Sequence, residues 1–238
     1  MKVNLFIPCF IDQFYPEVGF ATVKILKKAG CEIIYNPEQT CCGQPAYNSG
    51  YWKQTLEAAK HFLEVFDSPY PVVAPSASCT GFIRRNYQKL SDDPTYLEKV
   101  HDLRNRIFEL TDFLVNQLKF VDFGARFDAV VTYHDACTAL REYGIKQEPR
   151  ILLSHVKGLE LREMKEAETC CGFGGTFSVK FKPISVAMVQ QKVESAMETG
   201  AQYITSTEAS CFMNINGYIQ KQKLPIRTIH IAQIISNF

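Results

Sequence analysis

Apolar residues along the chain recur at two spacings, which predict strands and helices in alternation. Residues 3–7 form a continuous apolar run that is typical of a buried strand, and apolar positions at helical spacing follow at residues 18–29. Gly30 then supplies a helix stop. The same alternation continues through the chain. We expect strands at residues 3–7, 33–35, 71–74, 128–133, 159–164 and 202–205, and helices at residues 18–29, 52–66, 107–118, 151–156, 186–196 and 229–235.

Two features of the first half are interpreted as parts of the core. Trp52, Phe62 and Phe66 recur at helical spacing, so we expect all three side chains to be buried. Cys31 follows Gly30 and opens a predicted strand, a position typical of a small buried apolar residue.

The cysteine spacing indicates that the chain contains the same unit twice. A pair of adjacent cysteines followed by glycine occurs in each half, with a single cysteine upstream and another downstream. Matching cysteines are offset by 128, 129 and 132 residues. We therefore predict two tandem, pseudo-duplicated α/β units with parallel sheets, at residues 1–123 and 124–238. The first set of cysteines is Cys9, Cys41, Cys42 and Cys79, and the second is Cys137, Cys170, Cys171 and Cys211.

Composition limits the class of protein. The chain has 238 residues, of which 46% are hydrophobic, enough for one large core or two modest ones. The formal net charge is +1 and no block of like charge occurs, so the footprint of a nucleic-acid-binding protein is absent. No apolar run is long enough to span a membrane or to form a signal peptide. Nine cysteines without an export signal are typical of a reducing compartment, and we expect a cytoplasmic protein.

The cysteines have the chemistry of metal ligands. Each group follows a predicted strand, and loops at the carboxyl ends of parallel strands meet at one edge of a sheet. The four thiolates of each half are therefore expected to surround one centre. Four thiolates suit tetrahedral zinc or an iron-sulfur cluster. The adjacent cysteine pairs and the long sequence separations between the other ligands favour a cluster, and zinc is the alternative.

His134 and Asp135 lie just before Cys137 and allow two interpretations. They could support the second centre, with the imidazole donating a hydrogen bond to sulfur or moving a proton with an electron. Equally, His134 could be a buried histidine that is hydrogen-bonded at a strand end.

Longer motifs around the paired cysteines resemble a known family. CCGQPAYNSGY at residues 41–51 and CCGFGGTFSVK at residues 170–180 are similar to the LutA/YkgE family of bacterial L-lactate utilisation proteins. That family belongs to the cysteine-rich CCG domain proteins, which include the CCG-containing subunit of heterodisulfide reductase. The resemblance covers essentially the whole chain. It implies that the eight cysteines hold one iron-sulfur cluster per half, of the 4Fe-4S type, with zinc possible at one or both sites.

The same resemblance implies an electron-transfer subunit of an L-lactate-oxidising complex. Its partners would be a LutB-like ferredoxin-type iron-sulfur protein and a LutC-like protein. We find no catalytic triad or flavin fingerprint in the sequence, so oxidation of the carbon atom is expected to need those partners. Two other functions stay open: a zinc-stabilised interaction subunit without a redox role, and a thiol-disulfide reductase subunit that uses the adjacent cysteines.

One departure from heterodisulfide reductase affects the expected cluster. In its CCG-containing subunit the last ligand of each half belongs to a C-x-x-C pair, whereas this chain has Ser76 before Cys79 and Glu208 before Cys211. The resemblance therefore implies a four-cysteine cluster in each half and not a five-cysteine one.

Overall fold

Two four-stranded parallel sheets form the framework of the protein, and a computed structural model describes residues 1–238. The strand orders are β2-β1-β3-β4 and β6-β5-β7-β8, so the two sheets have the same topology. The predicted α/β fold with two repeated units is confirmed. The strands are β1 (Lys2–Leu5), β2 (Glu32–Ile34), β3 (Val72–Ala74), β4 (Ile107–Glu109), β5 (Arg126–Tyr133), β6 (Lys157–Leu161), β7 (Tyr203–Ser206) and β8 (Arg227–His230).

Helices connect successive strands and cover the sheets. Three-ten and π-helical turns at Tyr87–Lys89, Phe113–Gln117 and Ala139–Tyr143 extend some of the connections. No helix combines the length and apolar character of a membrane span. The helices are α1 (Cys9–Phe14), α2 (Pro16–Lys28), α3 (Gln44–Asn48), α4 (Trp52–Val65), α5 (Ala77–Asn86), α6 (Pro94–Arg106), α7 (Leu110–Asp112), α8 (Gln147–Ser154), α9 (Phe177–Lys180), α10 (Lys182–Met197), α11 (Ala209–Gln222) and α12 (Ile231–Ile235).

The fourth strand of each sheet was not predicted. The expected helix at residues 107–118 is wrong for its first three residues, because Ile107–Glu109 pairs with β3 and helical structure begins only at Leu110. Likewise, the expected helix at residues 229–235 begins only at Ile231, after β8. Strands of three or four residues are too short to show a period of their own. Their apolar residues were therefore assigned to the helix that follows.

Three helices of ten or more residues were also missing from the prediction, as were the short helices α1, α3 and α9. The polar stretch before β4 forms α6, which Asp93 caps by accepting a hydrogen bond from the Tyr96 amide at 2.8 Å. This helix buries only a narrow apolar stripe of Tyr96, Val100 and Leu103. The other two are α5 and α11, which follow β3 and β7 and contain Cys79 and Cys211.

The largest apolar cluster contains residues of both halves, including Val18 of α2, Val131 of β5 and Ile235 of α12. The unit boundary at residues 123 and 124 therefore stays a prediction. Cys31 is buried in this cluster, as expected. Phe62 and Phe66 are buried too, but the prediction for Trp52 is wrong, because it opens α4 and is 67% exposed.

Candidate metal centres

The loops that leave the strands bring both sets of cysteines to one region. Cys9 begins α1 shortly after β1, and Cys79 lies in the first turn of α5 after β3. The adjacent pair of the first half lies in the loop after β2. The second half repeats this arrangement after β5, β6 and β7. All eight predicted cysteines line a single cavity of about 330 Å³.

A glycine in the left-handed region turns the chain after each cysteine pair. Gly43 has a φ of 88° and Gly172 a φ of 79°, values that a side chain would strain. At Gly172 a Cβ atom would also lie 2.7 Å from the Ser185 carbonyl oxygen. The turn aims the glycine amide back at the first thiol of the pair, at 3.5 Å from Gly43 N to Cys41 Sγ and 3.4 Å from Gly172 N to Cys170 Sγ. The glycine of each motif is therefore required by the local backbone.

Different side chains hold the carbonyl group of the second cysteine in each pair. The Tyr87 hydroxyl donates to the Cys42 carbonyl at 2.8 Å, and the Asn214 amide donates to the Cys171 carbonyl at 2.8 Å. Each loop is thus tied to a helical segment that follows the third strand of its own half.

The thiols of each half lie within reach of one another. Cys9 Sγ is 3.6 Å from Cys41 Sγ, and hydrogen bonds from Cys42 and Cys9 hold the pKa of Cys41 well below its ordinary value. In the second half, hydrogen bonds from Cys137 and Cys171 do the same for the pKa of Cys170. One thiolate in each half is therefore stabilised by its neighbours, and a thiolate is the form that binds metals.

The four thiols of each half form a donor set for a soft metal centre. A single tetrahedral zinc with Zn–S bonds of about 2.3 Å places all its sulfurs about 3.8 Å apart. The 3.6 Å between Cys9 Sγ and Cys41 Sγ is close to that spacing. Among His, Cys, Asp and Glu side chains, only His134, Cys171 and Cys211 form a group of three whose ligand atoms all lie within 4.8 Å of one another. Four thiolates fit either zinc or an iron-sulfur cluster.

His134 faces the second set of cysteines. It is fully buried, and neither ring nitrogen has a hydrogen-bond partner. Burial lowers the pKa of His134 to about 3, so the neutral imidazole is favoured. Asp135 does not contact it; its carboxylate accepts two hydrogen bonds from Arg150, at 2.9 and 2.8 Å. Both interpretations of His134 stay predictions.

Sequence reasoning missed Lys192, a charged residue close to the second centre. It is fully buried on α10, and its ammonium group donates hydrogen bonds to the carbonyl groups of Glu166 and Ala167. Burial lowers the pKa of Lys192 to about 8. One signal in the sequence could have indicated this buried lysine: Lys192 lies among Val189, Val193 and Ala196 on the apolar side of a predicted helix.

Ser76 and Glu208, each three residues before the last cysteine of its half, contact each other. Glu208 Oε2 accepts hydrogen bonds from the Ser78 amide at 2.8 Å and from the Ser76 hydroxyl at 3.1 Å. Glu208 Oε1 accepts from the Ser210 hydroxyl at 2.7 Å. A buried carboxylate of the second half therefore joins the two cysteine loops, and these positions supply no thiol.

Comparisons with known proteins agree with this geometry. The Cysteine-rich domain (CCG) family matches residues 3–84 and 131–216. Proteins named Lactate utilization protein A from Bacillus cytotoxicus and Bacillus thuringiensis are each 44% identical over 237 residues, covering 100% of this chain and 99% of theirs. A crystal structure of a hypothetical protein from Helicobacter pylori has a TM-score of 0.66 at 15% identity, over 98% of this chain and 48% of the other, and shares the fold. The chain belongs to the cysteine-rich CCG domain family and, within it, to the family of Lactate utilization protein A.

Proposed function

We propose that this chain is an iron-sulfur electron-transfer subunit of a cytoplasmic L-lactate-oxidising complex. The observation that carries the proposal is the pair of four-thiol sites around one cavity, each with a stabilised thiolate. The role in lactate utilisation is supported by full-length relatives that bear that name.

The ligands would be the four cysteines of each half. A bound iron-sulfur cluster accepts and donates single electrons, with a potential that depends on charge and on hydrogen bonds to sulfur. The amides of Gly43 and Gly172 already point at sulfur and would supply such hydrogen bonds. Two centres in one chain match the two electrons that leave lactate when it becomes pyruvate. The protons and the carbon chemistry are assigned to partner proteins, a LutB-like ferredoxin-type protein and a LutC-like protein.

Exposed apolar side chains support docking of such partners. Tyr51 and Trp52 follow the first cysteine pair and are 61% and 67% exposed. Val179 and Phe181 follow the second pair at similar distances and are 81% and 51% exposed. Large exposed apolar residues at corresponding places in both halves are typical of an interaction surface.

Two measurements test the proposal. Protein purified without oxygen should contain about four irons and four acid-labile sulfides per site, the content of a 4Fe-4S cluster. A deletion strain should lose growth on L-lactate and recover it with the wild-type gene but not with a Cys41→Ser variant. Normal growth of the deletion strain on lactate, without a redundant enzyme, would remove the lactate assignment.

A second candidate is a zinc-stabilised interaction subunit, and one observation favours it. His134, Cys171 and Cys211 form a compact nitrogen and sulfur donor group, which is a common set for zinc. Under this alternative the same purified protein would contain zinc without iron or sulfide. Such a result would support a scaffolding role and exclude electron transfer by this chain.

A further inference from the structure

The side chains packed behind each set of cysteines form what we call the wall of that centre. The two walls can be compared residue by residue, because the hydrogen bonds of the central strands correspond. The Phe6 amide donates to the Val73 carbonyl at 3.0 Å, and the His134 amide donates to the Thr205 carbonyl at 2.8 Å. Each donor comes directly after the central strand of its sheet, and each acceptor lies in the neighbouring strand. Phe6 and His134 therefore occupy equivalent positions.

The helices after the cysteine pairs correspond as well. The Thr55 amide donates to the Tyr51 carbonyl at 3.0 Å, and 130 residues later the Ser185 amide donates to the Phe181 carbonyl at 3.0 Å. The same offset relates the helix atoms closest to the two motif glycines. A Cβ atom at Gly43 would meet the carbonyl of Thr55 and the side chain of Ala58, and one at Gly172 would meet the carbonyl of Ser185 and the side chain of Met188. At this offset Phe62 of α4 is equivalent to Lys192 of α10.

In the first half these two positions form an apolar wall. The rings of Phe6 and Phe62 pack edge to face with centroids 4.9 Å apart. Both belong to the apolar cluster that contains Cys42 and Cys79. Neither ring offers a charge or a nitrogen donor to the sulfur atoms.

In the second half the same two positions hold an imidazole and an ammonium group, both fully buried. A ring nitrogen of His134 lies within 4.8 Å of the sulfurs of Cys171 and Cys211. The ammonium group of Lys192 donates hydrogen bonds to the carbonyl groups of Glu166 and Ala167, in the loop that leads to Cys170.

Other influences on the two centres are balanced. In each half the first two cysteines along the chain are half-buried and the last two are buried, so solvent exposure does not distinguish the centres. The charge of Asp135 near the second centre is paired with Arg150. The Glu208 carboxylate accepts hydrogen bonds from Ser78, next to Cys79, and from Ser210, next to Cys211, so its charge does not distinguish the centres.

We propose that the two centres are inequivalent, and that the wall of His134 and Lys192 gives the second centre the higher reduction potential. A buried positive charge and a donor to sulfur stabilise the reduced, more negative state of a cluster, whereas an apolar wall does not. Electrons within this chain then pass from the first centre to the second. The inference rests on the proposed function, because it requires clusters at both sites.

The test is a redox titration of the full chain, purified without oxygen and followed by electron paramagnetic resonance. Cys42→Ser and Cys171→Ser variants assign the signals of the first and second centres. Lys192→Met should reduce the ratio of reduced to oxidised second centre at a fixed potential about tenfold, a shift of about 59 mV for one electron. The first centre should not shift. His134→Phe, which places the first-half residue at this position, should shift the potential of the second centre in the same direction.

Two matched variants separate charge from structure. Lys192→Arg keeps the charge and should keep the potential of the second centre, and Lys182→Met removes an exposed charge from the same helix and should shift neither centre. If Lys192→Met does not fold, the order of the wild-type potentials and the His134→Phe shift decide the question. Equal wild-type potentials, a higher first centre, or no shift in either variant would overturn the inference. Zinc without iron would overturn the proposed function itself, and metal analysis detects that before any potential is measured.

Discussion

The first and second centres share a scaffold and differ in the wall behind it. Both use a left-handed glycine after the cysteine pair, and both place their last cysteine in the first turn of a helix after the third strand. Behind the thiols, however, Phe6 and Phe62 in one half correspond to His134 and Lys192 in the other. The comparison teaches that holding four thiols together depends on backbone geometry, which both halves have kept. The electrostatic environment depends on single side chains that do not affect that geometry.

The largest expected effect tests whether the centres are independent. Cys42→Ser should remove the first centre and about half of the iron and sulfide, because a cluster of this type needs all four thiolates. Cys171→Ser should remove the other half. Iron and sulfide analysis of both variants, with Cys31→Ser as the control outside the sites, measures this. Complete loss of iron from either variant would show that the two sites form one unit.

A buried ion pair that only the second half has should contribute strongly to stability. Arg150 pairs with Asp135, which is almost fully buried. The first half has Ile7 at the position equivalent to Asp135. Arg150→Met leaves that carboxylate buried without a partner and should lower the free energy of unfolding by about 3–5 kcal/mol. Denaturant unfolding measures the loss. Arg162→Met breaks the exposed pair with Glu160 and should change stability by less than about 1 kcal/mol.

The bridge between the halves should have a smaller effect. Glu208→Ala removes the acceptor of the Ser78 amide and the cap of α11. Because a buried donor is left unsatisfied and a cap is lost, the free energy of unfolding should fall by about 2–4 kcal/mol. Asp93→Ala removes a cap within one half and should cost about 1 kcal/mol. Equal losses in the two variants would show that the contact across the halves contributes nothing beyond capping.

A pH-dependent effect concerns Glu109 and His230, which end the two fourth strands and cap the helices that follow. Burial raises the pKa of Glu109 from 4.5 to about 8, so its contribution is complete below pH 4.5 and is lost as the pH rises toward 8. Burial lowers the pKa of His230 from 6.5 to about 4, so its contribution is complete above pH 6.5 and is lost as the pH falls toward 4.

Glu109→Gln should therefore stabilise the protein at pH 8 relative to wild type and have little effect at pH 4.5. Unfolding curves of both proteins across this range give the difference. The His230→Asn variant is the matched control, since it should change the acidic side and not the alkaline side. A difference between Glu109→Gln and wild type that does not vary with pH would contradict the assignment.

Two kinds of sequence signal predicted most of the fold. The alternation of apolar spacings located the first three strands of each half, and the offsets between cysteines identified the duplication. Both signals are local or are repeated in the chain. The missed elements include β4, β8 and α6, where a strand was too short or a buried stripe too narrow to produce a period. Trp52 was misjudged for a related reason: its spacing matched the apolar face, but the first turn of α4 extends beyond the core.

By itself, the sequence determined the α/β class, the repeated unit and the eight cysteines that the fold brings together, because thiol chemistry and periodicity are properties of the residues. Only the tertiary structure showed that both sets line one cavity, that Glu208 reaches Ser76 and Ser78 across the halves, and that Lys192 is buried beside the second set. The physical reason is that burial and electrostatic interaction depend on distance in space. Residues as far apart in the chain as His134, Cys171 and Lys192 become neighbours only when the sheets and helices pack.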